Sequence, residues 1–218
     1  MSIADKITAI KSTLPANVRL VAVSKTKPAD MVQEAYDCGQ RVFGENKAQE
    51  MRDKQAVLPP DIEWHFIGHL QSNKIKYIAP FVSLIHSVDS FDLLKAIDKE
   101  AAKNNRVIPC LLQVYIANED TKYGLDDAEL FALLDELKIN PLPHIAIYGL
   151  MGMATFTDDK AQVQQEFAHL GSLFKSIKEK YTLPAITELS MGMSGDYSLA
   201  IAEGSTLVRI GSDIFGGR

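Results

Sequence analysis

The feature of this sequence that most constrains its fold is an unbroken alternation of short β-rich runs and helix-like segments. The runs that predict strands lie at 19–24, 41–44, 63–68, 81–87, 107–116, 144–152, 185–190 and 206–211. The segments that predict helices lie between them, at 29–38, 45–57, 73–79, 90–104, 126–138, 158–180 and 194–203. Because each helical crossover returns the chain to the same end of a sheet, the strands are predicted to pair in parallel.

Eight parallel strands can close a barrel, and 218 residues suffice for one, since such barrels start at roughly 200 residues. A doubly wound open sheet is the competing α/β architecture. No internal repeat, low-complexity segment or Gly/Ser-rich linker divides the chain, which ends soon after the last predicted strand. We therefore expect a single-domain (β/α)8 TIM barrel over residues 1–218.

Composition excludes several classes of partner. The net charge of -5 and the lack of a polybasic run argue against nucleic-acid binding, which needs clustered Lys and Arg. No apolar run approaches the roughly 20 residues that span a bilayer. Ile3, Ile7 and Ile10 have the spacing of an amphipathic helix rather than of a signal peptide. The sequence predicts a cytoplasmic protein with no membrane partner.

Cysteine and histidine positions predict no metal site. Cys38 and Cys110 lack metal-ligand spacing, and their apolar or helical surroundings predict buried free thiols in a reducing compartment. The histidines that also lack such spacing are His65, His86, His144 and His169.

Segments that carry candidate functional residues follow the predicted strands. In α/β barrels the functional groups gather on the loops after the carboxyl ends of the strands. Lys25 follows the first strand, and a long loop with Lys122 follows the fifth. The other segments of this kind are GEN at 44–46, GHLQSNK at 68–74, LMGM at 150–153, SMGMSGD at 190–196 and RIGSD at 209–213. This asymmetry predicts an active face at that end of the barrel.

An anion site is predicted between the seventh and eighth strands. A helix predicted to begin near Ser194 would present backbone N–H groups without intrahelical acceptors, and Ser190 would add a hydroxyl. Gly211 would allow close backbone approach, and Ser212 would add another N–H. The alternative is that Ser194 is only an N-cap and the glycines are turn residues. Two such loops at one barrel position favour a phosphate cup.

Other phosphate and nucleophile signatures are absent from the sequence. There is no G-x-x-x-x-G-K-[ST] motif and no G-x-G-x-x-G motif opening a helix after the first strand. GMSGD also differs from the G-x-S-x-G elbow of serine hydrolases, because Asp196 occupies the place of the last glycine.

A lysine and a phosphate site on one face suggest a phosphorylated carbonyl compound held as a Schiff base. The two interpretations are a sugar-phosphate aldolase and a protein that binds pyridoxal 5'-phosphate (PLP). Arg209, the last long residue of the eighth strand, could reach the pyridine nitrogen of PLP, where proteins place an acid or an arginine. Its alternative role is an ion pair with Glu188 or Glu203.

Five stretches together resemble one family, the YggS/PROSC family of PLP homeostasis proteins. The stretches are LVAVSKTKP, FGENKAQE, WHFIGHLQSNK, SMGMSGDYSLAI and GSTLVRIGSDIFG, in this order from near the N-terminus to the C-terminus. The resemblance implies an alanine-racemase-like barrel (PLP fold type III) without the C-terminal β domain, and it implies PLP as the cofactor.

The resemblance also assigns roles to residues. It makes Lys25 the Schiff-base lysine, whose pKa must fall through burial and the nearby Arg209 before the neutral amine can attack an aldehyde. The other implied contacts are Ser190, Ser194, Gly211 and Ser212 at the phosphate, Arg209 at the ring nitrogen, Asn46 near the ring hydroxyl, and His69 and Met151 beside the cofactor. A structural hydrogen bond is the alternative for His69, and core packing is the alternative for Met151.

The function that the resemblance implies is intracellular PLP homeostasis with little or no catalytic turnover. An arginine cannot be deprotonated in a protein, so Arg209 would leave the ring nitrogen unprotonated and the ring a poorer electron sink. A PLP-dependent amino-acid racemase is the alternative, and an aldolase is more remote. Expected partners are PLP, further B6 vitamers and PLP-dependent apo-enzymes as acceptors. The missing β domain, which scaffolds the racemase dimer, favours a monomer.

Overall fold

The computed structural model describes residues 1–117, 123–181 and 185–217, and within them eight parallel strands close into a barrel. Each strand pairs with its neighbours in sequence, and β8 pairs with β1. The strands are β1 (Arg19–Val23), β2 (Val42–Glu45), β3 (Glu63–Phe66), β4 (Leu84–Val88), β5 (Ile108–Gln113), β6 (Ile145–Met151), β7 (Glu188–Met193) and β8 (Leu207–Ile210). The predicted (β/α)8 barrel is confirmed, and the open sheet is excluded by the β1–β8 pairing.

The helices surround the barrel and connect its strands. They are α1 (Ile3–Thr13), α2 (Ala29–Asp37), α3 (Ala48–Gln55), a 3₁₀ helix (Ser72–Tyr77), α4 (Phe91–Lys103), α5 (Asp127–Ile139), α6 (Lys160–Lys180), α7 (Tyr197–Ala202) and α8 (Ser212–Phe215). Local sequence explains where several begin. Ser2 and Asp5 form a reciprocal capping box at the start of α1, whose buried face carries the predicted isoleucines.

The structure corrects three local predictions. The helix expected to begin near Ser194 begins at Tyr197, because Met193 donates its backbone N–H to the Asp196 carboxylate and closes a turn there. The strand expected at 185–190 begins at Glu188. The four-residue helix α8 is absent from the sequence prediction, since so short a segment has no readable apolar period.

The apolar core has two layers, one outside and one inside the barrel wall. The larger layer packs the strands against the helices and includes Trp64, Phe43 and Phe167. The smaller layer fills the barrel interior with Val21, Val42, Leu84, Leu111, Met151 and Leu207. Bulky aliphatic residues are usual inside such barrels. In this barrel, buried polar side chains from β3, β4, β7 and β8 share the interior with these aliphatic residues.

The two cysteines differ in their exposure to solvent. Cys110 is a buried free thiol, whereas Cys38 is exposed, because it follows α2 directly at the C-cap position on the protein surface. The prediction that both thiols are buried is wrong for Cys38.

In the described ranges, no helix combines the length and apolar character needed to cross a membrane.

Candidate cofactor-binding site

Lys25 and the β8–α8 turn lie on the same rim of the barrel. Lys25 comes two residues after the end of β1, and Gly211 comes directly after β8, the strand that pairs with β1. The backbone of Gly211 runs close to that of Val23: a Cβ built on Gly211 would lie 3.0 Å from the carbonyl oxygen of Val23. The half-buried Lys25 and the predicted phosphate residues that follow β8 are therefore neighbours across one strand pair.

A constrained turn carries Lys25. Its successor Thr26 has φ 65°, a left-handed conformation that is unfavourable for a β-branched residue. Three hydrogen bonds hold this turn: Thr26 N–H to Glu50 Oε1 at 2.6 Å, Lys27 N–H to the Ser24 carbonyl at 3.0 Å, and Lys27 Nζ to the Gly217 carbonyl at 2.8 Å. The direction in which Lys25 leaves β1 is thus fixed by its surroundings.

A buried charge cluster lies against this turn. Lys54 donates to the Ser24 carbonyl at 2.8 Å, to Glu45 Oε1 at 2.6 Å and to Glu50 Oε1 at 2.9 Å. The Ser24 hydroxyl also donates to Glu45 Oε1, at 2.6 Å. Burial raises the pKa of Glu45, and the bonds from Lys54 and Ser24 oppose that rise. Sequence reasoning missed this cluster, which supports the residue directly before Lys25.

Ser194 and Ser212 bring the two predicted phosphate loops together. The Ser212 hydroxyl donates to the Ser194 hydroxyl at 3.0 Å and joins the β7–α7 turn to the β8–α8 turn. Gly192, at φ 94°, permits the tight course of the first turn, where a Cβ would lie 2.6 Å from Ala200 Cβ. Two hydroxyls and the first N–H groups of α8, which begins at Ser212, therefore lie together.

Ser190 lies apart from that hydroxyl pair. Its side chain is fully buried, and its hydroxyl oxygen accepts a hydrogen bond from Arg209 Nη1 at 2.6 Å. The same hydroxyl lies 3.0 Å from Nδ1 of His86. The structure thus places the Ser190 hydroxyl in the polar interior of the barrel, and its predicted phosphate contact stays a prediction.

Arg209 is buried inside the barrel and is held by neutral oxygen atoms. Besides the Ser190 hydroxyl, its guanidinium donates to the carbonyls of Ser190 at 2.9 Å and Gly152 at 3.0 Å. Burial lowers its pKa to about 10. The alternative ion pairs are not formed in the described part of the chain, where Glu188 binds Arg19 and Thr206 and Glu203 accepts from Gln164.

Two buried histidines extend the polar interior beyond Ser190. Nε2 of His86 lies 2.9 Å from Nδ1 of His65, and both side chains are fully enclosed. Burial lowers the pKa of His65 to about 3 and lowers that of His86 well below its ordinary value. Neither residue has metal-ligand spacing in the sequence. The signal that could have found them is one histidine at an inward position in each of two adjacent apolar strands.

Asn46 and His69 share a small cavity after β2 and β3. It measures about 120 Å³ and is also lined by Phe66 and Lys74. The side-chain Oδ1 of Asn46 is buried and has no hydrogen-bond partner within the described residues. His69 is exposed, stacks on Tyr123 with ring centroids 5.1 Å apart, and has its Nδ1 3.9 Å from Asp89. Neither contact is the structural hydrogen bond that was the alternative for His69, and its predicted place beside a cofactor stays a prediction.

Met151 and Lys122 are the remaining residues that the sequence singled out. Met151 ends β6 and is 1% exposed within the interior apolar cluster, so its surroundings are those of a packing residue. Its predicted place beside a cofactor stays a prediction. Lys122 lies outside the residues that the structure describes.

Sequence comparisons identify relatives over nearly the whole chain. The family model described as the alanine racemase N-terminal domain matches residues 1–218. The pyridoxal phosphate homeostasis protein of Aquifex aeolicus is 41% identical over 201 residues, which cover 92% of this chain and 87% of that protein.

Structural comparisons agree with the sequence matches. PipY of Synechococcus elongatus, solved with PLP bound, has a TM-score of 0.90 and 40% identity, covering 99% of this chain and 100% of that one. Alanine racemase of Bartonella henselae has a TM-score of 0.73 at 20% identity, covering 99% of this chain and 60% of that one. The second likeness concerns the fold alone and confirms the alanine-racemase type of barrel.

Proposed function

This chain belongs to the pyridoxal phosphate homeostasis protein family, and on that premise we propose that it binds PLP covalently through Lys25 and carries it with little or no turnover. The observation that carries the proposal is the placement of Lys25 and of the Ser194–Ser212 hydroxyl pair on one barrel rim. The structure of PipY with PLP bound, at 40% identity, supports the same cofactor.

The residues present fit the chemistry of PLP. The ring hydroxyl needs a polar neighbour, and the buried Oδ1 of Asn46 lacks a partner within the described residues, which fits that need. The phosphate needs hydrogen-bond donors, which Ser194, Ser212 and the start of α8 can supply. The ring nitrogen needs a hydrogen-bond donor. The described bonds to Ser190 and Gly152 use three of the five guanidinium N–H groups of Arg209, so two are left to serve the ring nitrogen.

Each of these residues has a defined task. Lys25 would hold the cofactor as a Schiff base: its neutral amine would give up two hydrogens, which leave with the aldehyde oxygen as water. When bound, PLP supplies a reactive carbonyl and a conjugated ring that can accept electrons. Arg209 would donate to the ring nitrogen and so keep it unprotonated, which would limit electron withdrawal. Storage is therefore favoured over turnover of amino acids.

The carrier function has further parts. We propose PLP-dependent apo-enzymes as acceptors of the cofactor, a cytoplasmic location and a monomeric state. Other B6 vitamers would bind according to the groups they share with PLP, because the hydroxyl pair recognises a phosphate and Lys25 recognises an aldehyde. The racemase alternative makes a different demand, since it requires bases on both faces of a substrate Cα.

Absorption spectroscopy tests the proposed tether. Wild-type protein mixed with PLP should develop the band of a protonated imine, and Lys25→Ala should lose it. Lys175→Ala, which removes an exposed lysine of α6, is the matched control and should keep the band. Wild-type protein that stays spectrally silent with PLP would overturn the proposal.

A second experiment separates carrier from racemase. PLP-loaded protein is mixed with a cofactor-free PLP enzyme, and reactivation is compared with that given by free PLP. Transfer above the free-PLP rate is expected, and its absence would exclude a carrier. Incubation with each L-amino acid in heavy water should leave Cα unlabelled, whereas deuterium incorporation would favour the racemase.

A further inference from the structure

Four buried polar side chains from four strands form a continuous chain of hydrogen bonds inside the barrel. His65 on β3, His86 on β4, Ser190 on β7 and Arg209 on β8 are linked in this order. The successive distances are 2.9 Å, 3.0 Å and 2.6 Å. All four residues are at most 5% exposed. The chain runs through the part of the barrel that is otherwise filled by the interior aliphatic cluster.

Arg209 fixes the direction of the bonds. A guanidinium has donors only, so the Ser190 hydroxyl oxygen must accept from Nη1. The hydroxyl hydrogen of Ser190 is then free to donate, and His86 Nδ1 lies within reach at 3.0 Å. If His86 instead donated from Nδ1, the Ser190 oxygen would accept twice and its own hydrogen would have no acceptor among the described bonds. We therefore assign an unprotonated Nδ1 to His86.

The direction then extends to His65. A neutral imidazole carries one N–H, so His86 with an unprotonated Nδ1 has its hydrogen on Nε2. That hydrogen points at Nδ1 of His65, 2.9 Å away, which must accept and so leaves the hydrogen of His65 on Nε2. Desolvation is the largest effect that lowers the pKa of both rings. Arg19 adds to it for His65, and His65, Arg209 and Arg19 add to it for His86.

We propose that His86, supported by His65, is a positioning residue for Arg209. Through the Ser190 hydroxyl it fixes the guanidinium in the orientation that offers its remaining N–H groups to the ring nitrogen of the cofactor. This inference rests on the proposed function, because the ring nitrogen belongs to PLP. Without the hydroxyl bond, the carbonyls of Ser190 and Gly152 are the remaining described acceptors that hold the guanidinium. With Ser190 held by His86, the Nη1 bonds to the Ser190 hydroxyl and carbonyl define one position.

The tautomers can be measured on the protein without cofactor. Long-range ¹H–¹⁵N spectra of ¹⁵N-histidine-labelled protein should show His86 and His65 as Nε2–H tautomers that remain neutral from pH 8 to pH 5. An Nδ1–H form of His86, or protonation of either ring in that range, would overturn the inference. This arm needs no variant and no PLP, so its outcome is independent of the proposed function.

Variants test the link between His86 and the ring nitrogen. His86→Phe removes the acceptor for Ser190, whereas His86→Asn places its Oδ1 near the position of Nδ1 and should rescue. His169→Asn, an exposed histidine paired with Asp127, is the matched control. Circular dichroism establishes that each variant is folded, and if His86→Phe is not, Ser190→Ala takes its place.

The readout compares PLP with 1-deaza-PLP, which carries a C–H in place of the ring nitrogen. Wild type, His86→Asn and His169→Asn should bind PLP at least about tenfold more tightly than the deaza analogue, the discrimination expected of one charged-donor hydrogen bond. In His86→Phe this ratio should fall below about threefold, with affinity for the analogue unchanged. Equal loss of both affinities would reduce His86 to a structural role and overturn the inference. If wild type binds neither compound, the proposed function fails instead.

Discussion

The ammonium of Lys54 lies 2.6 Å from Oε1 of Glu45, and the two side chains are 7% and 0% exposed. The same ammonium donates to the carbonyl of Ser24, the residue before Lys25. A buried ion pair contributes little net stability compared with an apolar pair, but removing one partner leaves the other as an uncompensated buried charge. The stability of this pair therefore depends on both charges being present or both being absent, whereas the bond to the Ser24 carbonyl needs Lys54 itself.

Lys54→Met tests this dependence. The substitution keeps an unbranched side chain that is one atom shorter and removes its charge, so we expect the free energy of unfolding to fall by about 3–5 kcal/mol. Urea denaturation measures the loss. The double variant Lys54→Met, Glu45→Gln removes both charges of the buried pair, leaves only the more exposed Glu50 carboxylate, and should recover most of the loss. A double variant as unstable as the single one would contradict the explanation by uncompensated charge.

Thr26→Gly tests the strain in the turn that carries Lys25. A non-glycine residue held at φ 65° costs on the order of 1–3 kcal/mol, and glycine avoids that cost while losing about 0.5–1 kcal/mol of chain entropy. We expect a net stabilisation of about 1 kcal/mol, measured by urea denaturation. Thr26→Ala retains a Cβ and should stay nearer to wild type. If glycine destabilises the protein, the Thr26 conformation is not strained.

A pair of glycine substitutions tests the turn after β7. A Cβ on Gly192 would lie 2.6 Å from Ala200 Cβ and 2.9 Å from Tyr197 Cα, at a φ of 94°. Gly192→Ala should therefore destabilise the protein by about 2–3 kcal/mol, through a steric clash and backbone strain. Gly195→Ala is the control in the same segment, because no atom lies within 4 Å of its Cβ. Thermal unfolding should separate the two variants, and equal melting temperatures would contradict this account.

Much of the fold could be predicted from the sequence, because each barrel element has a local signature. The strands are apolar runs separated by helical periods, and their number and parallel pairing follow from that alternation. The start of α7 could not be predicted, because it depends on a single hydrogen bond from Met193 N–H to the Asp196 carboxylate. Ser194 has the residue type of an N-cap, but Asp196 is the observed cap residue.

The site could be predicted in part for a related reason. Lys25 and Ser212 follow strand ends, and the barrel topology alone brings such ends together. The histidine chain depends instead on register: His65 pairs with Leu84, so His86 lies two residues further along β4 on the same face. Sequence patterns show which side chains of a strand alternate toward the barrel interior, but they do not show how neighbouring strands are aligned. The contacts of Ser190 with Arg209 and His86 could not be predicted for the same reason.

The buried histidines predict a stability that falls in mild acid. The pKa of His65 in the fold is about 3, against an ordinary value of 6.5, so between these values the unfolded chain binds one more proton than the folded protein. Stability from this residue is complete above pH 6.5 and is lost as pH falls below it. Between pH 7 and pH 5 the loss is about 2 kcal/mol for one such histidine. The lowered pKa of His86 acts in the same direction.

His65→Gln isolates that contribution. Urea denaturation at pH 7 and pH 5 gives the pH-dependent loss for each protein, and carboxylates contribute equally to all of them. Because glutamine does not titrate, the variant should lose about 2 kcal/mol less than wild type between the two pH values. His169→Gln removes an exposed histidine and should match wild type within about 0.5 kcal/mol. An identical loss in His65→Gln and wild type would mean that His65 titrates in the fold as it does in the unfolded chain, and would remove the basis for a neutral ring beside His86.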